Sequence, residues 1–167
     1  MVRRAAVTVG MVLMLASRSM SVAGEQPSLP DPKSVHMAGK INLGWASITL
    51  HTCVIKREFI VCDLVLTADQ DGPPDYKYGP PLSSTKLVDN FRIDHAQVRG
   101  AFINGRGEPQ DTVTLGKDDW VWVVQEFGGR LDGVTSARLV FPYGGSVRTS
   151  VEGGSSAASA RQTDKSE

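Results

Sequence analysis

The stretch CVIKREFIVCDLVLT, residues 53–67, contains two apolar runs on either side of the polar pair Arg57-Glu58. β-Branched and aromatic residues predominate in both runs, which favours strands, and the short polar break favours a hairpin. With that pair at the tip, the antiparallel register places Cys53 directly opposite Cys62. Opposed residues lie within disulfide reach, so we predict a hairpin closed by a disulfide. The spacing matches neither a CxxC redox motif nor a zinc-finger pattern.

Short apolar runs of the same kind continue along the chain, separated by turn residues and without a helical stripe. They cover residues 41–50, 59–67, 88–93, 98–104, 120–127 and 136–141. This pattern predicts an all-β fold, an antiparallel β-sandwich of about six to eight strands, with a small barrel as the main alternative. Residues 69–84 contain four prolines. Because proline offers no N–H to a strand ladder, we expect a loop or a ragged edge there.

The first residues of the chain have the order of parts that is typical of a cleavable secretory signal peptide. An arginine pair precedes an apolar run at residues 5–16, and a Ser-Val-Ala triplet fits cleavage after Ala23, with Gly24 as the alternative. Arg18 limits the apolar run to about 12 residues, whereas a membrane-spanning helix needs about 20. We therefore predict a secreted or periplasmic protein whose mature chain has no transmembrane segment.

The composition divides the chain into four parts. We predict a signal peptide at residues 1–23, an extended lead-in at 24–34, the β-sandwich domain at 35–143 and a disordered Gly/Ser-rich tail at 144–167. Removal of the signal peptide leaves 15 basic and 18 acidic residues, a net charge of −3. This balance gives no electrostatic argument for binding nucleic acid or an anionic membrane surface. An exported protein meets an oxidising environment, which favours the disulfide.

The sequence contains no recognisable catalytic constellation. His36, His51 and His95 are far apart in sequence, and no nucleophile-elbow motif surrounds a serine. Asp94 precedes His95, but neighbours on a strand point to opposite faces, so this pair predicts no carboxylate–imidazole couple. A hydrolase with a dispersed site built from Asp94, His95 and a neighbouring strand is nevertheless one alternative function.

Two other features suggest binding. The carboxylates of Asp69, Asp71 and Asp75 alternate beside a glycine, as in part of a calcium loop, but the remaining ligands of that motif are missing and we predict no metal site. Trp120 and Trp122 face the same side of their strand and predict either core packing or an open aromatic surface. The proline-rich loop holds the two aromatics for which exposure is most expected. The candidate binding surface is thus Tyr76, Tyr78, Trp120 and Trp122.

The order of these segments resembles the small immunoglobulin-like β-sandwich domains of exported bacterial proteins, among them the secreted immunoprotective antigens of mycobacteria. The similarity covers roughly residues 40–143 and lies in the strand order, the Asn104-Gly105 turn and the closing strand VTSARLVF at 134–141. It implies an immunoglobulin-like sandwich without known enzymatic activity, and it carries over no functional residue. The Pro-rich insert at 69–84 departs from the compact pattern.

The resulting functional hypothesis is an exported, non-enzymatic protein that binds another protein or a component of the cell envelope. It requires no cofactor. A calcium- or carbohydrate-binding module is the first alternative and the dispersed-site hydrolase is the second.

Overall fold

The computed structural model describes residues 29–142 and 145–153. The predicted signal peptide at 1–23 lies outside these residues, as do residues 144 and 154–167 of the predicted tail. In the described part, eleven strands and two single-turn 3₁₀ helices, Pro32–Ser34 and Leu82–Ser84, account for the regular structure. The strands are β1 (Ala38–Asn42), β2 (Ala46–Lys56), β3 (Phe59–Ala68), β4 (Tyr76–Lys77), β5 (Lys86–Asp89), β6 (Asp94–Ile103), β7 (Pro109–Gln110), β8 (Thr112–Val113), β9 (Trp120–Gly128), β10 (Ser136–Val140) and β11 (Ser146–Glu152).

Seven of these strands form a closed barrel in the order β2-β11-β10-β5-β6-β9-β3, with β3 pairing back to β2. All neighbours are antiparallel except β11 and β2, which pair in parallel through Val151 opposite Cys53 and Glu152 opposite Val54. The all-β prediction is confirmed. The two-sheet sandwich gives way to the barrel alternative, because the β11–β2 pairing joins the two edges that a sandwich would leave apart.

The closing strand β11 also corrects the predicted domain boundary. The predicted domain ended at residue 143, since the Gly- and Ser-rich composition from 144 onward suggested disorder. Strand β11 instead runs from Ser146 to Glu152, and Val147 and Val151 are buried in the core. These two valines lie four residues apart on the inward face, and they supply the apolar contacts that the overall composition of the segment concealed.

The β2–β3 hairpin forms in the predicted register. Lys56 lies opposite Phe59 and Cys53 opposite Cys62, with Arg57 in the left-handed region at φ 57° in the turn. The two cysteines form a disulfide, with Cα atoms 4.1 Å apart. Both are fully buried. The disulfide therefore joins two barrel strands from the inside, next to the point where β11 closes the ring.

The Pro-rich stretch at 69–84 is more ordered than predicted. It contributes β4, which pairs with β8 to form a separate two-stranded ribbon, and the 3₁₀ turn Leu82–Ser84. Leu82 is fully buried in the same core cluster as the barrel residues, and Tyr76 and Tyr78 pack against that cluster. The insert thus closes over the barrel core.

Candidate binding site at Trp120

Strand β9 has an apolar inward face and an aromatic outward face. Val121 and Val123 are buried, and they alternate with Trp120 and Trp122 on the opposite face, as the strand period of two requires. Both tryptophans therefore lie outside the barrel. The sequence left open whether the tryptophans are buried or form an open aromatic surface. Both occur, since Trp122 is buried and Trp120 is exposed.

Trp122 is covered by the N-terminal lead-in. Its side chain is only 3% exposed, and the indole Nε1–H donates a hydrogen bond to the Pro30 carbonyl at 3.1 Å. The His51 ring packs edge-on against the indole with 5.6 Å between ring centroids. Val65, the cross-strand neighbour of Trp122 on β3, is buried as well. In its described part, the lead-in therefore contacts the outer face of β9 through Pro30.

Trp120 is not covered in this way: 40% of its surface is exposed, and it borders a cavity of about 410 Å³. The other side chains that line this cavity are apolar or uncharged polar groups, and no charged side chain from residues 29–142 or 145–153 is among them. They belong to Leu29, Ile103, Asn104, Gln110, Thr112, Val113, Thr114, Leu115, Val121 and Trp122. An aromatic wall combined with a few polar groups is the usual composition of a ligand site.

Two of the polar groups around this cavity are free to meet a ligand. Asn104 is occupied, since its Oδ1 accepts hydrogen bonds from the N–H groups of Arg106 and Glu108 and so holds the β6–β7 turn. Within residues 29–142 and 145–153, the side chains of Gln110 and Thr112 make no hydrogen bond. The site can therefore offer an amide and a hydroxyl beside the indole of Trp120.

The tyrosines do not form the exposed surface that was predicted. The Tyr76 ring lies 4.9 Å from the Trp45 ring and 6.0 Å from Phe102 between centroids, and both tyrosines are half-buried. The Tyr78 hydroxyl accepts hydrogen bonds from Gln97 and from Gln125 Nε2, the latter at 3.0 Å. Burial raises the pKa of this hydroxyl. Their contacts make Tyr76 and Tyr78 part of the packing between the insert and the barrel core.

The structure separates Asp94 from His95. Asp94 is exposed and lies 3.8 Å from Lys86, whereas His95 is 1% exposed. The His95 ring contacts Asp89 Oδ2 through Nε2 at 3.0 Å and the Gly128 carbonyl through Nδ1 at 3.2 Å. The Asp89 carboxylate and the Gly128 carbonyl both accept hydrogen bonds, so each ring nitrogen faces an acceptor. With both nitrogens occupied, His95 has none left for a substrate proton.

The carboxylates of Asp69, Asp71 and Asp75 do not converge on one point. Asp69 contacts Lys40 and Ser47, Asp71 accepts from the Lys117 N–H at 2.9 Å, and Asp75 contacts Thr114. In the described ranges, no group of three or more His, Cys, Asp or Glu side chains has the geometry to hold a metal ion. Each of these aspartates therefore contacts a different part of the protein and stabilises the loop there.

Sequence reasoning missed two buried polar groups. Asp89 lies in a turn-forming Asp-Asn pair at the end of β5, and this turn chemistry was the available signal. Gln125 occupies an inward position of β9 between Val123 and Phe127, where the alternation calls for an apolar residue. Its Nε2 bonds to the Leu82 carbonyl at 2.9 Å and to the Tyr78 hydroxyl. The signal in the sequence was therefore Gln125 itself, a polar residue at a strand position where an apolar one is expected. Its side chain joins the insert to the barrel.

No protein-family model, curated protein or solved structure matches this chain.

Proposed function

We propose that this protein is exported and acts without catalysis, by binding another protein or an envelope component through the site at Trp120. The observation that carries the proposal is a 40% exposed tryptophan at the edge of a cavity of about 410 Å³ that none of the described charged side chains lines. Cavities of roughly 300–1,000 Å³ are the usual size of small-ligand sites. Tryptophan is also enriched among the residues that dominate binding energy at protein interfaces.

Export is supported by two features. The signal-peptide pattern lies in residues 1–23, and the Cys53–Cys62 disulfide is of the kind that persists in oxidising compartments. In the described part of the chain, no helix has the length and apolar character needed to cross a membrane. The resemblance to exported immunoglobulin-like domains supports export and binding, but the closed barrel departs from their sandwich.

A neutral oligosaccharide is the second candidate ligand. It is favoured by the side chains of Gln110 and Thr112, which place an amide and a hydroxyl beside the indole and carry no charge. Sugar rings present apolar C–H faces that pack on an aromatic plane and hydroxyls that need such polar partners. Either ligand would contact the indole of Trp120, so an experiment is needed to distinguish a protein partner from an oligosaccharide.

The protein-partner proposal is tested by site-specific photo-crosslinking in the producing cells. A photo-crosslinking residue replaces Thr112, which is exposed at the edge of the cavity, in chains that carry either Trp120 or Trp120→Ala. We expect one discrete adduct with Trp120 that is lost in W120A. The same crosslinker in place of Phe91, which is 57% exposed and outside the cavity, is the control. No adduct at 112, or one that W120A leaves unchanged, contradicts the proposal.

The saccharide candidate is tested by titrating the purified mature chain with neutral cello- and chito-oligosaccharides. Binding at Trp120 changes the tryptophan emission spectrum saturably, and W120A removes that change while Trp45 and Trp122 continue to report on the fold. A saturable signal that persists in W120A would contradict sugar binding on the indole of Trp120.

A further inference from the structure

We propose that Arg92, Arg138 and Arg148 form a binding site for a phosphate group on the outer face of β10 and β11. They border a cavity of about 790 Å³ that shares no lining residue with the cavity at Trp120. The proposal is thus independent of the proposed function, and either one can fail without the other.

The first argument is the register of the barrel. Arg138 on β10 lies directly opposite Arg148 on β11, and both side chains are exposed. Directly opposed residues of an antiparallel pair have Cβ atoms about 4.5–5.5 Å apart, and like charges in that position are destabilising. An anion that binds between the two guanidinium groups turns this repulsion into attraction.

The second argument is the lack of acidic partners. In residues 29–142 and 145–153, none of the three arginines forms an ion pair. The lysines and arginines that do form one there are Lys40, Lys86, Arg99 and Arg130. Among the described residues, the acidic side chain that lines this cavity is that of Asp89, and its carboxylate already accepts hydrogen bonds from two backbone N–H groups and contacts His95. The positive charge of the cavity is therefore not neutralised from within.

The third argument is that the turn carrying Arg92 is held in place. Arg92 has a left-handed backbone at φ 64°, and its N–H donates to the Asp89 carbonyl at 3.1 Å. Asn90 Oδ1 accepts from the Thr135 N–H at 3.0 Å and so ties the turn to the start of β10. Arg92 is thereby fixed at the edge of the cavity that Arg138 and Arg148 line.

The ligand chemistry follows from three guanidinium groups around one cavity. A guanidinium group binds two oxygens in a planar fork, which matches carboxylates and phosphates. A phosphate group presents three or more oxygens and up to two negative charges, so it can engage all three arginines, whereas a carboxylate offers two oxygens and one charge. The hydroxyls of Ser136 and Ser150, which also line the cavity, can donate to the remaining oxygens. The phosphate belongs either to a soluble ester or to a lipid headgroup.

The test compares the thermal unfolding of the wild-type mature chain and the variant R138Q/R148Q in inorganic phosphate and in chloride of equal ionic strength. A ligand that binds only the native state raises the melting temperature. The control is R106Q/R130Q, which changes two exposed arginines outside the cavity and gives the same net charge. We expect a saturable rise in phosphate for the wild type and the control, and loss of that rise in R138Q/R148Q.

Phosphate also stabilises proteins non-specifically, through exclusion from the surface, and that effect is equal in all three chains. Only the difference between R138Q/R148Q and the control therefore counts. Loss of folding does not obscure the result, because removal of two like charges leaves the melting temperature in chloride unchanged or higher.

The source of the phosphate is separated by co-sedimentation with phosphatidylcholine vesicles, with and without phosphatidic acid, whose headgroup is a phosphate monoester. Binding that needs phosphatidic acid and is lost in R138Q/R148Q, but not in the control, assigns the site to a lipid headgroup. A melting shift without vesicle binding assigns it to a soluble phosphate ester. If R138Q/R148Q behaves like the control in both measurements, the proposed site is wrong.

Discussion

Nε2 of His95 lies 3.0 Å from Oδ2 of Asp89, and the two side chains are 1% and 0% exposed. The Asp89 carboxylate also accepts the N–H groups of Phe91 and Ile93 at 2.8 Å each. One buried contact thus joins β6 to the end of β5 and fixes the turn between them. A buried charge is tolerated only when it is paired and hydrogen-bonded, and this pair meets both conditions.

Replacing Asp89 by Asn removes the carboxylate that faces the buried His95 ring. We expect the free energy of unfolding to fall by about 1.5–3 kcal/mol, the usual worth of hydrogen bonds to a charged group, because the amide keeps only part of the hydrogen bonding. Urea unfolding at neutral pH measures the change. Asp94→Asn is the matched control, since Asp94 pairs with Lys86 on the surface and should cost less than about 1 kcal/mol. Equal losses of unfolding free energy in D89N and D94N would show that the buried Asp89–His95 contact stabilises the protein no more than the exposed Asp94–Lys86 pair does.

The same carboxylate governs acid stability. Burial raises the pKa of Asp89, but the hydrogen bonds from His95, Ile93 and Phe91 outweigh it, and the pKa in the folded protein lies below the ordinary value. A group with a lowered folded pKa contributes stability that is fully present above its unfolded pKa of about 3.9 and is lost as the pH falls through the folded value. The denaturant midpoint of the wild type should therefore drop more steeply than that of D89N between about pH 6 and pH 2, the range in which carboxyl groups titrate. Parallel curves would contradict this assignment.

The sequence predicted the local features well and the closure of the fold poorly. The hairpin register and the disulfide follow from the spacing between Cys53 and Cys62, because a two-residue turn leaves one pairing. Barrel closure depends on Val151 meeting Cys53 across about 100 residues, and strand periodicity contains no information on which edges pair. For the same reason, the sequence did not predict the contact between Asp89 and His95 or the pairing of Arg138 with Arg148. At the site, periodicity placed Trp120 and Trp122 on one face, but the covering of Trp122 by Pro30 depends on the path of the lead-in.

The insert is tied to the barrel through the Tyr78 hydroxyl. Tyr78→Phe removes the oxygen that accepts from Gln97 and Gln125, so each of these amides loses one hydrogen bond and keeps its others. The expected loss is about 0.5–1.5 kcal/mol of unfolding free energy, the net worth of a typical hydrogen bond. Tyr76→Phe is a control of identical chemistry, because within the described residues the Tyr76 hydroxyl makes no hydrogen bond, and we expect no measurable change. If the two variants match, the insert is held by its apolar contacts alone.

The Cys53–Cys62 disulfide should stabilise the barrel mainly by restricting the unfolded chain. The sequence separation is nine residues, and closing so short a loop corresponds to about 2–3 kcal/mol in the chain-entropy model. The double variant C53A/C62A should show this loss in urea unfolding without a change in far-UV circular dichroism. Because both sulfurs are buried, a reductant should reach the native disulfide only after opening of the barrel. Rapid reduction of the wild type in the absence of denaturant would contradict that burial.

Asp63 is expected to destabilise the protein at neutral pH. It lies on the outer side of β3, between Thr52 and Val124, and burial raises the pKa of its carboxyl against the opposing attraction of Lys56 and His51. When the folded pKa exceeds the unfolded one, the folded state binds the proton more tightly, so ionisation above that pKa costs stability.

Asp63→Asn should therefore raise the free energy of unfolding at pH 7, by about 0.5–2 kcal/mol as is common for stabilising substitutions. The gain should shrink as the pH falls through the raised folded pKa and should vanish below the unfolded pKa of about 3.9, because the wild-type carboxyl is then neutral in both states. Asp132→Asn, at a side chain that is 87% exposed, is the control and should show no such gain. A loss of stability in D63N at pH 7 would mean that the attraction of Lys56 and His51 outweighs the burial of the carboxylate.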